Sequence, residues 1–245
     1  MIFISTIEYL RGSVNPKNAF DILKYKYDFY KKHPDYFKPE GLIVFCGSQG
    51  SGKTLSAVQY IKKVCEDYPK AILVTNTDIK GIKNKTIGYN GLQCLKEIEN
   101  GENGVIYFID EIHLEMNSLE SKSIPIEVMV EISQQRKQRK HIVGTSQVFQ
   151  RMAKPLREQI KNVVICKKIL GFIQYNKLVD GTSSYEENGK LHFADVRRLF
   201  WFHSSLLYGS YDTYKKMKRY KKEWNSFNSQ NIYERSSYNG LSNNS

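Results

Sequence analysis

The sequence has few cysteines, and their spacing forms no recognisable pattern. The 245 residues include four cysteines, at positions 46, 65, 94 and 166, with no C-x-x-C pair and no histidine at ligand spacing. Structural zinc sites and disulfide frameworks both require clustered or regularly spaced cysteines. We therefore predict neither a zinc site nor a disulfide, and we expect a reducing, cytosolic environment.

Long apolar runs are also missing. The segment from Met1 to Leu10 is partly apolar, but Glu8 interrupts it and Arg11 ends it. A membrane-spanning helix needs about 20 apolar residues, and a signal peptide needs a continuous apolar centre. No later stretch reaches spanning length either. We therefore expect a soluble, cytoplasmic protein without an intrinsic membrane span.

Acidic residues are scarce relative to basic ones. The chain has 25 Asp and Glu against 37 Lys and Arg, which gives a formal net charge of +12. Such an excess favours a polyanionic partner such as nucleic acid. A basic but otherwise inert surface is the alternative, and many Lys, Asn, Ile and Tyr residues also follow from an AT-rich genome. The distribution of charge is therefore more informative than its sum.

One glycine-rich octapeptide carries the strongest functional signal in the chain. It reads G-x-x-x-x-G-K-T and consists of Gly47, Ser48, Gln49, Gly50, Ser51, Gly52, Lys53 and Thr54. Its glycines allow successive backbone N–H groups to face phosphate oxygens, Lys53 supplies a positive charge, and Thr54 offers a hydroxyl to Mg²⁺. The motif predicts a bound nucleoside triphosphate with Mg²⁺.

The flanks of this loop fit a strand followed by a helix. Residues 42–46 form a short apolar run typical of a buried strand, and Leu55, Val58, Ile61 and Val64 recur at helical spacing. A chance glycine-rich turn would lack this context. The order of strand, loop and helix therefore supports a phosphate-binding loop.

A second signal lies at the end of another apolar strand. Residues 104–109 are continuous β-formers, as expected of a strand buried on both faces, and Asp110 and Glu111 follow them directly. Asp110 is placed to hold Mg²⁺ opposite Thr54. Glu111 is placed to orient and deprotonate a water in line with the γ-phosphate. The pair favours hydrolysis, although an acidic strand end at the surface is common in itself.

Three further residues are candidates for the same site. Gln147 closes the predicted strand 141–147, which would lie beside the strand that ends at Asp110, so that its amide could sense the γ-phosphate. Arg136 and Arg139 precede that strand, where one of them could complete a neighbouring subunit's site as an arginine finger. We prefer Arg136, which we place near the end of a helix. A strand-end glutamine and a solvated basic face are the alternatives.

The remaining pattern predicts an α/β fold with a parallel sheet flanked by helices. A helix from Pro16 to about Lys32, with Phe20, Ile22, Leu23 and Tyr27 in its apolar stripe, forms an N-terminal appendage over residues 1–39. The nucleotide-binding domain covers residues 40–213, with strands at 71–75 and 162–168, a loop at 76–90 and a helix opened by Pro125. Two aromatic strands, 172–179 and 199–207, joined by a polar loop at 180–190, predict a C-terminal β-hairpin.

Residues 214–245 form a third region. Residues 214–224 alternate cations with Tyr214, Tyr220 and Trp224, a composition that can neutralise phosphates and stack on bases. A solvated helix face is the alternative. From about Ser226 the chain is rich in Ser and Asn, which predicts disorder.

Taken together, the loop at 47–54, the strand end at 109–111 and the strand end at 145–147 resemble the FtsK-HerA superfamily of DNA-pumping ATPases. The chain looks most like the zonular-occludens-toxin-like branch of phages and mobile elements, over roughly residues 40–215. The resemblance implies a RecA-like core, ATP hydrolysis with Mg²⁺, a homo-oligomeric and usually hexameric ring, and transport of double-stranded DNA.

The sequence also departs from the pattern of this branch in one respect. Its filamentous-phage members usually carry a transmembrane helix after the ATPase domain, and this chain has no such run. The expectation is therefore a motor that packages or transfers a viral or plasmid genome, in the host cytoplasm or associated with the virion. The alternative is a virion-assembly ATPase that acts with a viral capsid, coat or membrane protein.

Two other classes fit the sequence less well. A GTPase needs a base-reading N-K-x-D motif, but Asn176 to Asp180 has one residue too many and lies in the predicted hairpin. A small-molecule kinase is disfavoured by Glu111, which favours water as the acceptor.

Overall fold

The computed structural model describes residues 16–39, 41–116, 125–187 and 190–212. The chain divides between Tyr36 and Phe37 into two compact units. The predicted basic and polar segments within residues 214–245 lie outside the described residues.

The first unit contains the predicted N-terminal helix, α1 (Pro16–Lys32). Proline suits its first position because the N–H that proline lacks has no intrahelical partner there. At the other end of the helix, the Phe29 ring stacks on His33 with centroids 4.7 Å apart and meets the edge of Tyr36 at 5.1 Å. The predicted apolar stripe, in contrast, is exposed at Phe20, Ile22, Leu23 and Tyr27.

The second unit contains ten strands and five α-helices within the described residues. The strands are β1 (Gly41–Cys46), β2 (Ile72–Thr75), β3 (Asp78–Ile79), β4 (Thr86–Gly88), β5 (Val105–Ile109), β6 (Lys140–Ser146), β7 (Ile160–Ile169), β8 (Ile173–Glu187), β9 (Lys190–Phe202) and β10 (Tyr211–Asp212). The helices are α2 (Lys53–Asp67), α3 (Cys94–Glu97), α4 (Ile126–Gln134), α5 (Lys154–Arg157) and α6 (Ser205–Tyr208).

Eight of these strands form one sheet in the order β4-β2-β5-β6-β1-β7-β8-β9. All pairs from β4 to β7 are parallel, whereas β8 pairs antiparallel with β7 and β9 antiparallel with β8. β6 lies between β1, which leads into the glycine-rich loop, and β5, which leads into Asp110. This arrangement confirms the predicted α/β fold with a parallel sheet, flanking helices and a C-terminal hairpin.

The sheet is buried on both faces by two apolar clusters. One face packs against α2 through Ala57, Val58 and Ile61, and the other packs against α4 and the segment after β6 through Val128, Ile132 and Met152. All residues of β5 and β6 are buried. These central strands therefore hold their carboxyl ends in fixed positions, which is where the candidate site lies.

The structure corrects the predicted details of the C-terminal region. Residues 180–187 and 190 belong to β8 and β9, so that the hairpin is much longer than predicted and most of the expected polar loop is strand. Thr, Ser and Tyr occur both in two-stranded β-ribbons and in loops. Composition alone therefore does not distinguish a ribbon from a loop. The strand predicted at 199–207 ends earlier, at Phe202, and residues 205–208 form α6. Ser204 caps that helix by accepting from the Leu207 N–H.

The segment 76–90, predicted as a loop, contains the short strands β3 and β4. β4 extends the parallel sheet beside β2, and β3 pairs with β10 to form a separate two-stranded sheet. Strands of two or three residues lack the periodicity that a sequence pattern requires. Among the described residues, no helix is long and apolar enough to cross a membrane.

Candidate nucleotide-binding site

The predicted phosphate-binding loop lies between the carboxyl end of β1 and the amino end of α2, as the sequence predicts. Gly52 precedes the helix with φ +82°, a left-handed conformation that favours glycine. The unpaired N–H groups and the dipole at the start of α2 create a positive potential that attracts phosphate. Gly47 is needed for a different reason, because a Cβ there would overlap the Ser51 side chain and approach the Cys166 carbonyl oxygen to 2.8 Å.

Lys53 occupies the first position of α2 and is buried, with 7% of its surface exposed. Its Nζ lies 3.4 Å from Glu111 Oε1. A buried ammonium needs a negative partner. In this structure that negative partner is the carboxylate of Glu111, which is predicted to activate water.

Asp110 and Thr54 meet as predicted. Thr54 Oγ1 donates to Asp110 Oδ1 at 3.1 Å, and Thr145 Oγ1 donates to the same oxygen at 2.6 Å. The Thr145 hydroxyl in turn accepts the backbone N–H of Glu111 at 2.8 Å. Thr145 therefore links Asp110 and Glu111 from β6.

The Asn76 side chain fixes the Asp110 backbone from β2. Asn76 Nδ2 donates to the Asp110 carbonyl oxygen at 3.0 Å, and its Oδ1 accepts the Asp110 N–H at 2.9 Å. This reciprocal pair satisfies both backbone groups at the end of β5. Side chains from the strands on either side of β5 therefore hold the Asp110 residue in place.

Glu111 has a left-handed backbone conformation, with φ 56° and ψ 46°. This conformation costs a residue other than glycine about 1–2 kcal/mol, and strain of this kind clusters at functional sites. It accompanies the turn from β5 into the short 3₁₀ helix Ile112–Leu114. His113 lies in that helix, and its Nδ1 is 3.3 Å from Glu111 Oε2. The Glu111 carboxylate therefore lies between two basic side chains.

Gln147 lies one residue beyond β6, and its side chain is exposed. The parallel pairing of β5 with β6 brings this strand end beside Asp110, because Ile109 pairs with Gly144. It is Thr145, however, that contacts the Asp110–Glu111 pair. The role of Gln147 as a γ-phosphate sensor stays a prediction.

The two candidate arginines lie at the other end of β6. Arg136 and Arg139 follow α4, which ends at Gln134, so that both occupy the turn before Lys140 and the predicted position of Arg136 at the end of a helix is corrected. Six steps along β6 separate this end from the site by about 20 Å. Neither arginine can complete the site of its own chain, and a role in a neighbouring subunit's site stays a prediction.

The residues present fit a nucleotide and a magnesium ion. Mg²⁺ is usually held by one or two protein groups together with substrate phosphates and waters. The contact between the Thr54 hydroxyl and the Asp110 carboxylate supplies such a pair beside the phosphate-binding loop. A cage of three or more His, Cys, Asp or Glu side chains is absent from the described residues, and this mode of binding does not require one.

The cysteines near the loop are free, buried thiols. Burial raises the pKa of Cys166 to about 12, although a hydrogen bond with Ser56 and the charge of Lys53 act in the opposite direction. Burial likewise raises the pKa of Cys46. Both thiols therefore remain protonated near neutral pH and are poor nucleophiles or metal ligands.

Two site residues, Asn76 and His113, were missed from the sequence, and each lacked a local signal. Asn76 lies among several polar residues after β2, and only the strand order shows that it flanks Asp110. Thr145 belongs to the 145–147 strand end that the sequence indicated, but its own role there was not predicted. His113 follows the acidic pair by two residues and forms no motif with it. Arg151 ends the short 3₁₀ helix Phe149–Arg151, which comes after β6 in the chain, and its side chain is exposed.

Comparison with known proteins places the fold. The crystal structure of the N-terminal domain of zonular occludens toxin from Neisseria meningitidis aligns with a TM-score of 0.50 and 16% identity, over 71% of this chain and all of that domain. The two share a fold. The P-loop NTPase fold that was expected from the sequence is thereby confirmed, as is the likeness to a zonular-occludens-toxin domain at the level of the fold.

Two further structures align with lower scores. The genome-packaging NTPase B204 from Sulfolobus turreted icosahedral virus 2, in complex with ATP-gammaS, gives a TM-score of 0.47 and 9% identity over 64% of this chain and 98% of that one. RuvB from Thermotoga maritima gives 0.33 and 17% identity over 62% and 45%. No family model and no curated protein matches the sequence.

Proposed function

We propose that this protein is an ATP-hydrolysing motor that moves double-stranded DNA and packages or transfers a viral or plasmid genome. The observation that carries the ATPase part is the meeting of Lys53, Thr54, Asp110 and Glu111 at one edge of the sheet. These side chains are the cation, the magnesium ligands and the base that phosphoanhydride hydrolysis requires.

The first step is an exchange of partners at Lys53. The ammonium is paired with Glu111 at 3.4 Å, and the phosphates of a nucleotide bound at the start of α2 compete for the same cation. Once Lys53 turns to phosphate, Glu111 is released from it. ATP binding thus frees the carboxylate that has to act on water.

The second step is activation of water by Glu111. Its backbone is held by the Thr145 hydroxyl, and its carboxylate stays near His113. Mg²⁺, held through Thr54 and Asp110, would neutralise phosphate charge during this step. Because Asn76 and Thr145 fix Asp110 and Glu111 from two strands, the relative positions of metal ligand and base are preorganised.

The third element of the proposed mechanism is an arginine from a neighbouring subunit. Arg136 and Arg139 lie about 20 Å along β6 from their own loop, so that a finger from either one acts across a subunit boundary. A homo-oligomeric ring, with six subunits as the expected number, would bring these two surfaces together.

The DNA part of the proposal is supported by charge and by the sequence resemblance. The net charge of +12 favours a polyanion, and residues 214–224 combine cations with aromatic rings. The resemblance to DNA-pumping ATPases covers the loop, the Asp110–Glu111 strand end and the Gln147 strand end. Residues 214–224 lie outside the described residues, and their role is tested by deletion.

The test is phosphate release from MgATP with and without duplex DNA, combined with native mass measurement. We expect hydrolysis that rises severalfold with DNA, a mass that corresponds to a ring, and hydrolysis lowered by about 10³-fold in Lys53→Ala. Removal of residues 214–245 should leave basal hydrolysis intact while lowering DNA affinity and its dependence on salt. Hydrolysis that responds to a viral coat protein and not to DNA would instead favour the virion-assembly function.

A further inference from the structure

A buried glutamine from the antiparallel hairpin contacts the phosphate-binding loop. Gln174 lies on β8, where it pairs with Lys168 of β7 and Trp201 of β9, and its side chain is 0% exposed. Burial of an amide is costly unless its donors and acceptor are all satisfied. The partners of Gln174 therefore show what its burial achieves.

The hydrogen bonds of Gln174 fix the orientation of its amide. Nε2 donates to the Ser51 carbonyl oxygen at 3.0 Å and to Asn176 Oδ1 at 3.1 Å. Both partners only accept, so the nitrogen must face them. Oε1 lies 3.1 Å from His203 Nε2, which donates to it, and His203 Nδ1 then accepts from the Tyr208 hydroxyl. The amide is thus fully satisfied.

Gly52 shows how closely the loop approaches this amide. A Cβ on Gly52 would overlap Gln174 Oε1 and lie 2.9 Å from its Cδ. Asn176 makes a second connection, because its Oδ1 accepts from Ser56 Oγ in the first turn of α2 at 3.2 Å. Strand β8 therefore holds both the loop and the start of the helix.

The contact with Ser51 has a consequence for the next residue. A trans peptide is planar, and its N–H points opposite to its C=O. When Gln174 holds the Ser51 carbonyl, the Gly52 N–H of the same peptide is directed away from Gln174. The residue thus acts on the ligand through the backbone of the loop.

We propose that Gln174 is a positioning residue for nucleotide binding, which orients the Ser51–Gly52 peptide toward the β-phosphate and is itself held by His203. This inference rests on the proposed function, because it needs a nucleotide at the loop. The antiparallel hairpin thereby contributes to the site a residue that lies outside the glycine-rich motif.

The test compares Gln174→Met with Gln59→Met in the full chain. Both variants replace an amide by an apolar chain of similar length, but Gln59 is exposed on α2 and lies outside the hydrogen-bonded set. We expect Gln174→Met to raise the Kd for MgADP about tenfold, as loss of a buried hydrogen bond does, and Gln59→Met to leave it within about twofold. Titration calorimetry below the unfolding temperature of each variant measures both.

Two variants of His203 provide a second test that does not depend on the folding of Gln174→Met. His203→Leu removes the N–H that holds Gln174 Oε1 and should weaken MgADP binding about threefold. His203→Gln keeps a donor of similar reach and should restore affinity to near the wild-type value. Equal affinity in wild type and His203→Leu would contradict the proposal.

The outcomes also separate this inference from the proposed function. A wild-type chain that does not bind MgADP would overturn both. Wild-type binding with an unchanged Kd in Gln174→Met would overturn the inference alone and leave the proposed ATPase intact. A lower melting temperature with an unchanged Kd has the same meaning, because it would limit Gln174 to packing.

Discussion

The parallel and antiparallel parts of the sheet place polar side chains differently. In the parallel part the chemical groups follow the strands, as Asp110 and Glu111 follow β5 and the glycine-rich loop follows β1. In the antiparallel part the important polar groups lie inside a strand, as Gln174 and Asn176 do on β8. Under the proposed function, the first part would supply the groups for hydrolysis, and the second would support the loop that binds the nucleotide.

The same contrast appears in the exposed surface. The central strands β5 and β6 are fully buried, whereas Phe200 and Phe202 on β9 are 66% and 72% exposed. The central strands are held between two packed faces, whereas the hairpin joins the sheet through the pairing of β8 with β7 and leaves part of β9 exposed. Substitutions in the two parts should differ in size accordingly.

The largest effect is expected in the parallel part, at Lys53. Lys53→Ala removes the cation that binds phosphate and should lower ATP hydrolysis by about 10³-fold, measured as phosphate release. The control is Lys63→Ala on the same helix. Lys63 is exposed and pairs with Asp67 at 2.9 Å, a contact with little effect on stability. Comparable losses of hydrolysis in both variants would show that the rate depends on the total positive charge of α2 and not on Lys53 itself.

The second prediction concerns the base. Glu111→Gln keeps the shape of the side chain but cannot accept the proton of water, and it should lower turnover by about 10²-fold while ATP stays bound. Retained nucleotide, measured by filter binding after a spin column, separates this outcome from loss of binding. The exposed Glu115→Gln serves as the control. Normal hydrolysis in Glu111→Gln would contradict the assignment of the base.

The residues of the site could be predicted where they form contiguous motifs. The octapeptide from Gly47 to Thr54 and the Asp110–Glu111 pair each carry their meaning in consecutive positions, and the structure brings Thr54 and Asp110 within hydrogen-bonding distance. Asn76 and Gln174 carry no such local signal, and the role of Thr145 within the 145–147 strand end was not predicted. Each becomes important only because the strand order places it beside a motif from another part of the chain.

The central strands of the fold could also be predicted from contiguous stretches of sequence. Apolar runs between turn signals identified β1, β2, β5, β6 and β7, since buried parallel strands are continuous and hydrophobic. The long hairpin was underestimated because its outer part is polar and pairs beyond the core. The exposed side chains of the stripe on α1, such as Phe20 and Leu23, show that periodicity predicts a helix but not what covers its apolar face.

The third prediction tests the connection from β6. Thr145→Val preserves volume but removes the hydroxyl that joins Asp110 to the Glu111 N–H. Turnover should fall about tenfold and the free energy of unfolding by about 1–3 kcal/mol, because buried polar groups lose their partner. Thr145→Ser retains the hydroxyl and should recover most of both quantities. Loss of stability without loss of turnover would limit Thr145 to a structural role.

The smallest effect is expected in the antiparallel part, at His203. Burial, with a smaller effect of the Lys168 charge, lowers the pKa of His203 below its ordinary value of about 6.5. The unfolded chain therefore binds a proton more readily than the folded one, so that the stabilising contribution is complete above pH about 6.5 and declines as pH falls toward the lowered pKa. The decline should be small because the ring is only partly buried.

Denaturant unfolding of wild type and His203→Gln from pH about 7 to about 5 measures this contribution. The wild type should lose more stability than the variant over this range, because only the wild type has a group at this position that titrates there. In the wild type the imidazole is contacted by the Trp201 ring, with its centroid 5.1 Å from that of His203, and by the Tyr208 hydroxyl. Parallel stability curves would show that protonation of His203 does not affect the hairpin, and that its contact with Gln174 depends on geometry alone.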